Sequence, residues 1–209
     1  ATAPDDIRDK MYSADTLAPR NQREAITAAL RAIEEESGKS IFEYVRDEFS
    51  LAEVGLTNKE FIKSFHAEQL DALAAAIAAV KKGQGFIIAD QTGVGKGRFV
   101  AGMLLYARLK GFFPIFMTKK KDLYTDMMRD VGGILESWQE NDLYPRELMV
   151  TNADRAGLAR PVNEKTQEPY PFLGKTFLEP TVKGDIAGKT AKAYEKQLEQ
   201  AIDTILAEP

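Results

Sequence analysis

The residues best placed to do chemistry lie in one stretch, Phe86-Ile-Ile-Ala-Asp-Gln-Thr-Gly-Val-Gly-Lys-Gly-Arg98. An apolar run ends there, and two glycines, Gly93 and Gly95, let the backbone turn with its N–H groups pointing inward. Lys96 then stands at the start of a helix. Such a turn cradles phosphate oxygens, because successive N–H groups and the positive end of the helix dipole converge on one point. The nucleotide-binding candidates are therefore Thr92, Gly93, Val94, Gly95, Lys96, Gly97 and Arg98. Lys96 is the catalytic candidate, with the reach to contact the β and γ phosphates. Against the pattern G-x-x-x-x-G-K-S/T the stretch departs twice, with Asp90 at the first glycine and Gly97 where a hydroxyl would hold magnesium. The ion would then depend on phosphate, water and a carboxylate at the end of a later strand. No apolar run ending in Asp-Glu follows the loop in these residues.

Composition narrows the alternatives. The chain has 209 residues, 44% of them hydrophobic, which is enough for one sizeable core with a small appended unit. It has no cysteine and one histidine, His66, so thiolate metal sites, histidine clusters and histidine-pair acid–base chemistry are excluded and no protein metal site is expected. A net charge of −4 argues against a general nucleic-acid coat but leaves room for a local basic patch. No apolar run reaches the roughly 20 residues of a membrane span, and the N-terminus lacks the basic and apolar regions of a leader. A soluble, cytoplasmic chain without a membrane partner is the expectation.

The elements that would position the loop follow from periodicity. Residues 1–20 read as an extended arm. Residues 21–63 read as a small helical unit with three capping boxes, Asn21 with Glu24, Ser40 with Glu43 and Thr57 with Glu60. Its first helix carries Ile26, Ala29, Leu30 and Ile33 on one face and stops at Gly38. Residues 64–155 read as the α/β core. Ser64 caps a helix with Leu70, Leu73, Ile77 and Val80 in one stripe, ending at Gly83. Phe86–Ala89 reads as a strand covered on both faces. A helix follows the loop with Val100, Met103, Leu104 and Ala107 on its apolar face. A second strand spans Phe112–Met117, a helix runs from about Asp122 to Val131 before Gly132 and Gly133, and a third strand is expected at Glu147–Thr151. Residues 156–185 read as an irregular loop, unusual in a compact domain. Residues 186–209 read as a C-terminal helix carrying Tyr194, Leu198, Ile202 and Ile205.

Asp90-Gln-Thr-Gly-Val-Gly-Lys-Gly97 resembles the A-x-T-G-x-G-K-T loop of superfamily 2 helicases. Its Gly97-Arg98 ending is similar to that of the strawberry notch helicase family. The segment Asp122-Leu-Tyr-Thr-Asp-Met-Met-Arg-Asp-Val-Gly132 is similar to that family's stretch after the second strand. The match spans roughly Thr57 to Gly133. It implies a partial RecA-like P-loop NTPase domain, a parallel sheet with flanking helices, behind the small helical unit. It also implies ATP and Mg²⁺ as cofactors, with the ion's carboxylate outside this chain. Gln69 stands where such proteins carry a glutamine that reads adenine, while Phe61 and Phe65 fit core positions better than base stacking.

The resemblance further implies an ATP-driven motor on nucleic acid, DNA in preference to RNA. This chain would be the N-terminal portion of a longer polypeptide, which would supply the Asp-Glu motif and the second RecA-like domain. Alone it would bind ATP without hydrolysing it. Related domains resemble parts of large phage and plasmid proteins, some of them anti-restriction factors, so the alternative is a non-catalytic nucleotide-binding or structural module of a phage particle or defence complex. A small-molecule kinase is disfavoured by Gly97. Lys119, Lys120 and Lys121 stand immediately before a helix N-terminus, where the dipole opposes positive charge; an anion would account for them, as would a solvated surface run, and the resemblance puts a contact to a nucleic-acid backbone there.

Overall fold

Local capping chemistry sets the helices that surround the site. Ser40 precedes α3, Ile41–Glu48, and Thr57 precedes α4, Asn58–Ser64. In each box the carboxylate reaches back to the cap's backbone N–H, Glu43 to Ser40 at 3.0 Å and Glu60 to Thr57 at 2.8 Å. The cap hydroxyl in turn accepts from the third backbone N–H at 3.3 Å in both cases. The computed structural model describes residues 1–13, 20–50, 57–89, 95–112, 114–118, 122–138, 148–151 and 156–159. Contacts divide the chain into two units, Ala1–Tyr106 with Ser137–Gln139, and Ala107–Glu136 with Glu140–Pro209.

In the first unit every described element is a helix. The arm is not wholly extended: α1, Asp5–Arg8, buries Ile7, and the residues before and after it tie down other helices. Thr2 accepts from the N–H groups of Ile41 and Phe42 at 3.0 and 2.9 Å, and Tyr12 accepts from Ala67 at 2.9 Å. The next helix, α2, spans Arg20–Ser37, so Asn21 lies inside it rather than capping it. Gly38, at φ +67°, ends it as expected. Of the anticipated stripe only Ile33 is buried, and Ile26 is exposed.

Helix α5 spans Ala67–Lys81 and begins after His66, whose N–H donates to Gln69 Oε1 at 2.9 Å. Ser64 is the last residue of α4, and its hydroxyl donates to the Glu60 carbonyl at 3.3 Å instead of capping α5. Leu70, Leu73 and Ile77 are buried while Val80 is exposed. The core is aromatic: Phe42, Phe49, Phe61 and Phe65 are fully buried, with Phe61 and Phe65 in an edge contact at 5.6 Å. Both phenylalanines are thus core residues, as their positions suggest.

Helix α6, Lys96–Leu109, starts where expected; its buried face is Phe99, Ala101, Gly102, Leu104, Leu105 and Tyr106, so that of the expected face Leu104 is buried while Val100, Met103 and Ala107 are half-buried. Gly102 brings α6 close to its neighbours; a Cβ there would stand 3.0 Å from the Phe65 ring and 3.2 Å from Leu73. The segment Phe86–Ala89 forms no strand, and Ile87 is 89% exposed. A continuous apolar run states a need for cover but not which strand provides it.

In the second unit, β1, Ile115–Met117, pairs in parallel with β2, Leu148–Thr151, in the register Phe116 with Val150. The intervening helix α7, Asp122–Trp138, makes the β-α-β connection that a parallel pair requires. It continues through Gly132 and Gly133, which were expected to stop it. Met127, Val131, Ile134 and Leu135 are buried at helical spacing, and that packing outweighs the roughly 0.5–1 kcal/mol that each glycine costs. Ala156–Ala159, anticipated as irregular, is β3, antiparallel to β2. The rest of the expected loop and the C-terminal helix lie outside the described residues.

Candidate functional site

The site is built at the entry to α6. Gly95 adopts φ +79°, a left-handed conformation open to glycine and costly for other residues. Its carbonyl then accepts from the N–H groups of Arg98 at 3.0 Å and Phe99 at 3.3 Å, which starts the helix. A third donor, Nε2 of Gln69, reaches the same oxygen at 3.2 Å. One carbonyl thus joins α5 to the first turn of α6. The leading N–H groups of a helix have no acceptors within it, and here they belong to Lys96 and Gly97.

Charge at this turn favours an anion. Helices α3, α4 and α5 each open with an acidic residue, whereas α6 opens with Lys96 and Arg98 and has none. Basic side chains at a helix N-terminus add to the dipole's positive end, and a bound phosphate offsets both. Beside the turn lies a crevice of about 10 Å³ between α5 and α6, lined by Glu68, Gln69, Ala72, Ile88, Lys96 and Phe99, among others. It has room for about one water.

The structure brings together Gln69, Gly95, Lys96, Gly97 and Arg98. Thr92, Gly93 and Val94 lie outside the described residues, as do Lys119, Lys120 and Lys121, which directly precede α7. Sequence reasoning passed over Glu68 and Phe99 as neighbours of the turn. Phe99 was legible as the apolar position one turn after Lys96. Its ring lies 5.9 Å from that of Phe86.

Gly97 supplies no hydroxyl, and Glu68, the carboxylate that lines the crevice, accepts a hydrogen bond from Ser13. Among the described residues no group of three histidines or carboxylates could hold a metal ion. Among the described residues the turn offers a phosphate its backbone N–H groups and the Lys96 ammonium, and offers magnesium no hydroxyl at Gly97. None of the described helices is long and apolar enough to cross a membrane.

No curated protein and no solved structure matches the chain. The family described as P-loop containing NTP hydrolase pore-1 matches it over residues 6–168, well over half its length. That match takes in Gly95 and Lys96 at the head of α6, and the chain belongs to the P-loop containing NTP hydrolase pore-1 family.

Proposed function

We propose that this chain is the N-terminal nucleotide-binding portion of an ATP-dependent DNA helicase or translocase of superfamily 2. The observation that supports a triphosphate ligand is the entry to α6, where a positive-φ glycine is followed directly by Lys96 with no acidic residue in the turn. In this reading the N–H groups of Lys96 and Gly97 and the Lys96 ammonium bind the β and γ phosphates, with Thr92, Gly93 and Val94 completing the cradle and Arg98 close to it. Gln69 borders the same site. The choice of helicase rests on the resemblance of Asp90–Gly97 and of the Asp122-Leu123 to Arg129-Asp130 segment to strawberry notch proteins. Lys119, Lys120 and Lys121 grip the nucleic-acid backbone.

Magnesium and the carboxylate that directs water come from a further part of the polypeptide in this reading, because Gly97 leaves the local ligand set short. Calorimetric titration of the chain with ATP tests the site. Lys96→Ala should weaken binding at least tenfold while the fold is kept, since alanine is the better helix former. Unchanged affinity would remove the nucleotide site. Replacing Lys119, Lys120 and Lys121 together should flatten the salt dependence of DNA binding. A longer polypeptide that binds ATP but never turns it over, with or without DNA, would instead support the non-catalytic phage or anti-restriction module.

A further inference from the structure

We propose that Gln69 is a positioning residue of the phosphate-binding turn: by holding the Gly95 carbonyl it sets the affinity for polyphosphate whatever base is attached. This rests on the reading of α6 as the phosphate site. The orientation of the carboxamide is forced by chemistry. The His66 N–H can only donate and the Gly95 oxygen can only accept, so Oε1 faces the first at 2.9 Å and Nε2 the second at 3.2 Å. Reading adenine would take that same edge of the amide, which is spent on the chain itself. Gln69 is 6% exposed, and the crevice next to it has a volume of about 10 Å³.

The Gly95 carbonyl is also the acceptor that begins α6, so its direction fixes where the Lys96 and Gly97 N–H groups point. Losing the Gln69 bond frees the turn to rotate and spreads those donors over several directions. The Gly95 glycine is part of the same arrangement, because any Cβ there would overlap Gln69 Nε2.

Gln69→Glu separates the two bonds. A glutamate still accepts from the His66 N–H, so the cap of α5 survives, but it presents a carboxylate and no donor to the Gly95 oxygen. Titration of the full chain with ATP, GTP and inorganic tripolyphosphate should show the same loss for all three, roughly five- to thirtyfold, in Gln69→Glu and also in the neutral Gln69→Met, where no new carboxylate repels the phosphates. A loss confined to ATP would make Gln69 a base reader and overturn the proposal, as would no loss for any ligand. Lys96→Ala separates this from the underlying reading, because tripolyphosphate binding that ignores Lys96 would mean that α6 is not the phosphate site at all. The unaltered chain offers a second readout independent of the variant's folding. The Gln69 side-chain amide resonance should shift on adding tripolyphosphate and stay still with adenosine; the reverse response would sink the proposal.

Discussion

The Gly95 carbonyl accepts from Nε2 of Gln69 at 3.2 Å, across 26 positions of sequence, and a methyl group on Gly95 would overlap that same nitrogen. Gly95→Ala therefore meets two obstacles, an unfavourable φ of +79° and a side chain held in place by its own hydrogen bonds. Strain of this kind costs on the order of 1–3 kcal/mol. The expected outcome is a lower thermal midpoint together with a loss of triphosphate affinity greater than tenfold, read by a melt and a titration on the same sample.

Gly102 sets how closely α6 approaches the aromatic core. A Cβ at this position would stand 3.0 Å from the Phe65 ring. That ring cannot yield easily, because Phe49 and Phe61 surround it at 6.2 and 5.6 Å. In an open helix Gly→Ala gains roughly 0.5–1 kcal/mol. Here overpacking, typically about 1–3 kcal/mol, should exceed that gain. Gly102→Ala should lower the urea midpoint, and a rise would show that the α6 contact is loose.

The cap of α3 carries an acid dependence. Hydrogen bonds from the Ser40 hydroxyl, and then from its backbone, hold the Glu43 carboxyl below the usual glutamate range. A pKa depressed by folding adds stability above the unfolded value of about 4.3, and that stability is lost as pH falls through the folded value. Ser40→Ala should cost about 1 kcal/mol at neutral pH. The gap between variant and parent should narrow below about pH 4, as denaturant midpoints across an acid series would show.

Tyr106 predicts the opposite limb. Burial, and after it the charge of Glu48, which accepts its hydroxyl at 3.4 Å, push its pKa up to about 12. The unfolded tyrosine ionises near 10, at roughly its ordinary value. The folded chain thus binds a proton that the unfolded chain has released. The resulting stability is complete below about pH 10 and disappears as pH rises through the folded value. Tyr106→Phe should therefore lose less stability than the parent as pH rises from about 10 to about 12. Burial raises Tyr44 as well, and the hydrogen bond to Glu48 raises Lys81, so the variant should reduce the alkaline slope without abolishing it.

Features governed by near neighbours were legible in the chain. The boxes at Ser40 and Thr57, the stops at Gly38 and Gly83, the start of α6 at Lys96 and the strand at residues 148–151 each depend on chemistry within a few positions. Tertiary structure decided the rest. Helix α7 runs through Gly132 and Gly133 because burial on one face outweighs a local entropic cost, a comparison that no short window contains. Which side of α6 is buried follows from the approach that Gly102 permits to Phe65, and the Phe86–Ala89 run stays uncovered because hydrophobicity specifies a need and not a partner. The phosphate turn shows both sources. Its glycines and lysine announce it in sequence, whereas the Gln69 bond that holds its carbonyl joins residues far apart in the chain, which only the packing of α5 against the head of α6 brings together.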